Sequence, residues 1–213
     1  MDSKIFSPSM FKTFCDCPLK FYFRYIRNIA APQIDSPFVH GKNLHALAAY
    51  YLKNIKIEKF IKKLTETELL MWNNLKQNDY FNLTPLEVET SIMTKISDFW
   101  VGGRIDALVH DGEENYFILD YKTGSIPKNA ETDFQTMIYL LACDKKLQKY
   151  KTLNFVYLDL RNNKTELIKL TNELKENYIN ILTETHSKTT KNNWKKLTET
   201  MKCNSCEYNK VCV

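Results

Sequence analysis

The chain has 213 residues, of which 44% are hydrophobic and 26% are charged, and its formal net charge is +5. This composition is that of an ordinary one-domain globular protein, and its five glycines and six prolines argue against long disordered linkers. No run of ~18 apolar residues occurs, so we expect no membrane span, whereas the mild basicity permits a nucleic-acid partner without requiring one.

The six cysteines are an informative feature of the composition. The first ten residues contain no apolar stretch of signal-peptide length, so we expect a cytoplasmic protein. Disulfides are rare in that compartment. The cysteines therefore indicate metal binding, catalysis or burial before they indicate a disulfide framework.

The first third of the chain is predicted to be helical. The stretch SPSMFKTFCDCPLKFYFRYI begins with a serine cap, and Pro18 divides it into two short helices. We interpret the four aromatic residues of its second half as core packing, with base stacking as the alternative. Apolar residues at helical spacing predict two further helices, over 37–53 and 58–77.

The middle of the chain changes to alternating and β-branched residues. Three antiparallel strands are predicted in PLEVETSIMTKI, FWVGGRIDALVHDG and NYFILDYKTG, joined by the turns SD and HDGEEN. A helix, two strands and a last helix are predicted in AETDFQTMIYLLACDKK, TLNFVYLDL, KTELIKL and TNELKENYINILTETHSK. This order predicts an α/β or α+β sheet flanked by helices.

Two acids and a lysine in these strands predict a chemical site. Residues two apart in a strand share a face, so Asp120 and Lys122 project together. Pairing through the HDGEEN turn places Asp106 within a few residues of Asp120, where both carboxylates could bind one divalent cation. Their neighbours are apolar, and an acid buried there without a partner is costly. Taken alone, however, Asp-x-Lys is better explained as the wet face of an ordinary strand.

Four motifs in order resemble those of the PD-(D/E)XK nuclease superfamily, and specifically of its RecB-like branch. They are Gly41-x-x-x-His45, Gly103-x-x-Asp106, Asp120-x-Lys122 followed by Thr-Gly, and Gln135-x-x-x-Tyr139. Each motif is weak, but four in order on the predicted elements are a specific signal. The Cys-Pro pair at the end of the N-terminal helix is also typical of this family.

The resemblance implies an α/β fold with a restriction-endonuclease-like core. In that fold a mixed central sheet is flanked by helices, and here the core would span about 36–170. N-terminal helices and a C-terminal cysteine cluster would close the fold, in segments of about 14–26 and 198–213. The whole chain, 1–213, would then be a single nuclease domain.

The resemblance also implies a metal-dependent phosphodiester hydrolase. His45, Asp106 and Asp120 would hold Mg²⁺ or Mn²⁺ together with the backbone carbonyl of Tyr121, because hard cations prefer oxygen ligands. Imidazole suits Mn²⁺ better than Mg²⁺, so we expect Mn²⁺ to support activity at least as well. A bound cation would acidify a water and offset charge on the phosphate.

Other residues would assist this centre. The resemblance implies that Lys122 orients the water and stabilises charge developing on the phosphate. Gln135 and Tyr139 are four apart on one helix face, and the family places them against the substrate or the metal ligands. Glu87 and Glu89 on the first long strand stay open, since either could be a distal ligand or a surface acid.

The cysteine spacing resembles that of RecB-like nucleases that hold an iron–sulfur cluster. Those proteins use one cysteine before the core and three after it, spaced Cys-x2-Cys-x5-Cys, which this chain matches with Cys203, Cys206 and Cys212. The resemblance implies Cys17 as fourth ligand of a [4Fe–4S] cluster, preferred over Cys15 because it precedes proline. A Cys₄ zinc site is the second interpretation, although such sites usually have two Cys-x-x-Cys pairs. Free or buried thiols are the third, as we expect for Cys143.

These features predict a metal-dependent DNA nuclease, acting on single strands or ends as an exonuclease. Relatives include RecB-like exonucleases associated with CRISPR adaptation and the nuclease domains of AddB-type recombination helicases. No Gly-Lys-Ser/Thr nucleotide-binding loop occurs, so a helicase, recombination or CRISPR-adaptation protein would be a partner. The alternative is a non-catalytic module that holds DNA ends, against which the intact set His45, Asp106, Asp120 and Lys122 argues.

Overall fold

A computed structural model describes residues 4–31, 39–191, 194–195 and 203–212. Six strands of this part form one mixed sheet: β1 (Ile5–Phe6), β2 (Thr84–Ile96), β3 (Phe99–His110), β4 (Asn115–Lys122), β5 (Thr152–Asp159) and β6 (Lys164–Lys169). The three antiparallel strands predicted in the middle of the chain are confirmed as β2, β3 and β4. Positions 37–38 of a predicted helix, and 198–202 and 213 of the predicted cysteine segment, lie outside the described residues.

The sheet is organised around β3, which pairs with three other strands. β2 runs antiparallel to it along its whole length. β4 pairs with its last part, from Ala107 opposite Leu119 to His110 opposite Tyr116, whereas β1 runs parallel to its beginning. β3 and β4 therefore separate beyond the Ala107–Leu119 pair, and we call this point the β3–β4 fork. β5 lies parallel to β4, and β6 pairs antiparallel with β5.

Helices cover both faces of the sheet, as the α/β prediction requires. They are α1 (Pro8–Asp16), α2 (Pro18–Phe21), α3 (Val39–Leu52), α4 (Glu58–Ile61), α5 (Glu66–Lys76), α6 (Phe134–Leu147) and α7 (Asn172–Thr190). One apolar cluster joins the sheet to α1, α6 and α7 through residues such as Phe11, Phe155 and Tyr178. A second cluster, with Leu44 and Trp72, joins the opposite face to α3 and α5. None of the described helices is long and apolar enough to cross a membrane.

The helix predicted over 58–77 is two helices, and this prediction was wrong because a start signal was overlooked. The Thr65 hydroxyl accepts the Glu68 backbone N–H at 3.3 Å, and the Glu68 carboxylate accepts the Thr65 backbone N–H at 2.9 Å. This reciprocal capping box begins α5 at Glu66 and separates it from α4. The letters TETE carry the corresponding Thr-x-x-Glu signature.

The aromatic N-terminal segment is divided at Cys17 and Pro18, as predicted, between α1 and α2. Phe21 is fully buried and stacks on Trp194, with ring centroids 5.6 Å apart. Tyr22 stacks on the same indole at 5.5 Å. These contacts support the core-packing interpretation of the segment.

Replacing Thr65 with alanine tests the capping box. We expect Thr65→Ala to lower the free energy of unfolding by about 1 kcal/mol, because the first turn of α5 loses the acceptor for its Glu68 N–H. Urea unfolding measures the change. Thr67→Ala is the matched control, since this exposed residue lies inside the same helix and alanine is a better helix former. Equal losses in both variants would contradict a capping role for Thr65.

Candidate active site

The β3–β4 fork places an acid where a strand carbonyl would otherwise accept a hydrogen bond. Asp106 is the first residue of β3 beyond the paired region, and its Oδ2 accepts the backbone N–H of Tyr121 at 2.8 Å. This bond holds the Asp106 carboxylate between the two strands. The prediction that Asp106 lies within a few residues of Asp120 is confirmed, since the next residues after Ala107 and Leu119 in the register are these two.

Three ligand-type side chains meet at the fork. The Nδ1 of His45 lies 2.9 Å from the Oδ1 of Asp106, and this contact joins α3 to the fork. Glu89 lies opposite Asp106 on β2, because Val88 pairs with Ala107 and Thr90 with Ile105. One ligand atom from each of His45, Glu89 and Asp106 lies within 4.8 Å of the others. All three residues are half-buried, which leaves the group accessible from solvent.

Glu89 is the member of this group whose role the sequence left open. Its backbone has φ of 55°, the left-handed conformation that side chains larger than glycine rarely adopt, so the strand is locally strained at this residue. Its carboxylate also forms an ion pair with Arg104, with 2.7 Å between the Glu89 Oε2 and the Arg104 Nε. Glu87 does not belong to this group of ligand-type side chains, and it forms an ion pair with Lys146 of α6. The alternation of β2 could have suggested Glu89, but its place depends on the β2–β3 register.

Asp120 does not belong to this three-residue group. It is 5% exposed, and its Oδ2 forms an ion pair with Lys122 at 2.6 Å. Its other oxygen accepts the amide of Gln135, and the Gln135 oxygen accepts Lys122 at 3.1 Å. Asp120, Lys122 and Gln135 thus form a closed triangle of polar contacts. The Lys122 ammonium also lies 5.3 Å from the centroid of the Tyr157 ring.

Burial and crowding of acids govern the electrostatics of the site. Burial raises the pKa of the Asp120 carboxyl, and the charge of Asp106 raises it further while Lys122 opposes the rise. Burial and Asp106 likewise raise the pKa of Glu89. Burial lowers the pKa of His45, but its hydrogen bond to Asp106 and the surrounding carboxylates outweigh that effect and raise it. The site therefore concentrates negative charge that a cation would relieve.

Tyr139 and Gly103, from two separate motifs, are packed against each other. A Cβ built on Gly103 would lie 2.6 Å from the Tyr139 hydroxyl oxygen and 2.8 Å from its ring. The Tyr139 hydroxyl also hydrogen-bonds to the backbone of Arg104. Glycine is thus required at 103 because the tyrosine lies directly on the β3 backbone, which locks α6 and its Gln135 against the strand that carries Asp106.

A cleft with a volume of about 600 Å³ opens onto the three-residue group. His45, Glu89, Asp106 and Arg104 line its base, together with Thr123 just after β4. One face of α3, the helix that contains both Gly41 and His45, forms a wall. A substrate in this cleft would reach the carboxylates directly.

The four cysteines predicted to act together line one pocket. Cys17, Cys203, Cys206 and Cys212 surround a volume of about 470 Å³ with Phe23 and Tyr208. None of the four forms a disulfide, and the backbone N–H of Lys20 donates to the Cys17 sulfur at 3.4 Å. Lys20 also pairs with Glu207 at 2.9 Å, and the Tyr208 hydroxyl donates to the Ile29 carbonyl. These contacts join the two ends of the chain around the pocket.

The remaining cysteines lie elsewhere. Cys15 is exposed and lines a different pocket, beside Lys12 and Asp133. Cys143 is buried in α6, as predicted, and burial raises the pKa of its thiol to about 12. Of the two candidates for a fourth partner of the C-terminal cysteines, Cys17 is the one that shares their pocket.

Replacing Gly103 with alanine tests the packing of Tyr139. We expect Gly103→Ala to lower the free energy of unfolding by about 1–3 kcal/mol, because the new methyl group overlaps the tyrosine ring. Thermal unfolding measures the loss. Gly124→Ala is the matched control, since a Cβ there meets no atom within 4 Å. A Gly103→Ala variant as stable as the control would contradict the close contact.

Comparison with one solved structure supports the fold. A candidate exonuclease from Eubacterium rectale superposes with a TM-score of 0.55 at 7% identity, over 87% of this chain and 79% of that one. The protein named SSO0001 aligns over 100% of this chain and 87% of its own at 11% identity, with a TM-score of 0.44. No curated protein matches the chain.

The sequence itself matches a family profile over nearly its whole length. Residues 5–70 and 56–213 match the PD-(D/E)XK nuclease superfamily. The two matched segments contain the four motifs and all residues of the fork. With the mixed sheet flanked by helices, this match confirms the resemblance at the level of the superfamily. The chain belongs to the PD-(D/E)XK nuclease superfamily.

Proposed function

We propose that this protein is a metal-dependent DNA nuclease that acts as an exonuclease on single strands or ends. The observation that carries the proposal is the convergence of His45, Glu89 and Asp106 at the β3–β4 fork. Asp120, which is level with Asp106 in the β3–β4 register, belongs to the adjoining triangle with Lys122 and Gln135. The intact set argues against a module that holds DNA without cutting it.

The donor chemistry of the fork fits a divalent cation. Its ligand atoms are carboxylate oxygens and one imidazole nitrogen, which suit Mg²⁺ or Mn²⁺. Burial and then repulsion by Asp106 raise the pKa of Glu89, and a bound cation would offset that repulsion. Asp120 and the Tyr121 carbonyl are the further ligands that family membership implies.

The residues of the site divide the catalytic work. A bound cation would supply Lewis acidity, which acidifies a water and offsets charge on the scissile phosphate. Lys122 is held by Asp120 and Gln135, so its ammonium can donate to the water or to a phosphate oxygen without first being ordered. Gln135 positions both charged groups, and Tyr139 fixes the helix from which Gln135 projects.

We also propose that Cys17, Cys203, Cys206 and Cys212 bind a [4Fe–4S] cluster. Support comes from their shared pocket and from the N–H donated to the Cys17 sulfur, since backbone donors to sulfur are typical of such clusters. Zinc is less suited, because the set contains one Cys-x-x-Cys pair where structural sites usually have two. The cluster would join segments 14–26 and 198–213, closing the single domain around a long loop.

The proposed substrate is DNA, because the superfamily consists of nucleases. A helicase, recombination or CRISPR-adaptation protein is the proposed partner, since an exonuclease that uses single strands needs another protein to open a duplex. Assays on DNA blocked at either end would establish whether ends are needed and from which end cleavage proceeds.

Replacing Lys122 tests the catalytic assignment. We expect Lys122→Ala to lower the rate of DNA cleavage with Mn²⁺ by at least about a hundredfold, because the phosphate loses the positioned lysine ammonium. Labelled single-stranded DNA and gel electrophoresis measure the rate. Lys164→Ala, an exposed lysine on β6, is the control and should cleave at the wild-type rate. Undiminished cleavage by a folded Lys122→Ala variant would refute the assignment.

Replacing single cysteines tests the cluster. The protein purified without oxygen should be yellow-brown with broad visible absorbance, and Cys17→Ser should lose most of this colour because one thiolate ligand is gone. Cys15→Ser is the matched control and should keep the colour. Absorbance and bound iron are measured together. A colourless wild-type protein with stoichiometric zinc would contradict the cluster proposal.

A further inference from the structure

An exposed aromatic pair stands at the edge of the active-site cleft. Tyr50 of α3 and Phe60 of α4 have ring centroids 5.2 Å apart, and the two residues are 36% and 44% exposed. Neither belongs to the apolar clusters of the core, whereas their neighbours Ile57 and Ile61 do pack against one. Core packing therefore explains Ile57 and Ile61 but not the two rings.

The geometry of α3 connects this pair to the metal-ligand group. Residues 42, 45, 46, 49, 50 and 53 lie on one face of the helix and line the same cleft. Within this row Tyr50 follows His45 by five residues, which is a rise of about 7.5 Å along the helix axis. That distance corresponds to about two nucleotides of a stacked strand.

The charge around the pair is strongly positive. Five exposed lysines occur between 53 and 63, against one acid, Glu58, in the same segment: Lys53, Lys56, Lys59, Lys62 and Lys63. Lys42 adds positive charge inside the cleft, where Arg104 is paired with Glu89. Lysines interleaved with exposed rings are the chemistry that binds a phosphate backbone and its unpaired bases together.

We propose that Tyr50 and Phe60 form a stacking platform for an unpaired base of single-stranded DNA, about two nucleotides from the phosphate that is cut. The inference rests on the proposed nuclease function and gives it a substrate preference. Bases in a duplex are stacked on each other and cannot lie on the platform, so a duplex must present a single-stranded end to this cleft. The lysines of segment 53–63 contact the phosphates of the same strand.

Binding without cleavage tests the platform. A fluorescein-labelled oligothymidylate is titrated with protein in EDTA, and fluorescence anisotropy gives the dissociation constant. The Tyr50→Ala/Phe60→Ala double variant should bind about 5- to 100-fold more weakly, because one stacked base is lost. Tyr50→Phe and Phe60→Tyr keep the rings and should bind like wild type. Leu70→Ala is the control, since this 56% exposed residue lies on α5.

An abasic strand of the same length and charge makes the test independent of any variant. Wild-type protein should bind it about as weakly as the double variant binds oligothymidylate. Equal binding of the abasic and normal strands by wild-type protein would overturn the platform, as would full affinity in a folded double variant.

The outcomes separate this inference from the proposed function. A protein that prefers the normal strand through these rings, yet cuts no DNA with Mn²⁺, would refute the nuclease proposal and leave the platform standing. A protein that cuts DNA but binds both strands alike would refute the platform alone.

Discussion

The site depends on one hydrogen bond, from the backbone N–H of Tyr121 to the carboxylate of Asp106. The bond forms where β3 and β4 stop pairing, so a side chain takes the place of a strand carbonyl. A buried backbone donor needs an acceptor, and here the acceptor is an acid that also contacts His45. The separation of two strands thus creates a charged centre inside an apolar sheet without leaving the peptide group unsatisfied.

The surrounding fold serves to hold acids close together. β2 carries Glu89 opposite Asp106, α3 brings His45 from one face, and α6 brings Gln135 against Asp120 from the other. Burial raises the pKa values of Glu89 and Asp120, and repulsion between carboxylates crowded in this way raises them further. Close packing of Tyr139 on Gly103 keeps α6 in place against that repulsion. Backbone strain and shifted pKa values of this kind cluster at functional sites.

Much of the architecture could be predicted from local patterns. The alternation in β2, β3 and β4 and the helical spacing in α3 and α6 gave correct elements, and the ordered motifs gave the superfamily. β1 was not predicted, because two residues contain no periodicity. The role of Glu89 could not be predicted either, since it depends on cross-strand register and a left-handed backbone. Asp120 was expected beside Asp106 and on the same face as Lys122, but its contact with Gln135 depends on where α6 packs.

Calorimetric titration with Mn²⁺ tests most directly whether the fork is a cation site. The account predicts saturable binding to the wild-type protein, weakened at least about tenfold in Asp106→Asn, because the amide keeps the size of the side chain but loses its charge. Glu113→Gln, in the exposed turn between β3 and β4, should bind like wild type. Unchanged Mn²⁺ affinity in a folded Asp106→Asn variant would contradict the assignment of the fork as the metal centre.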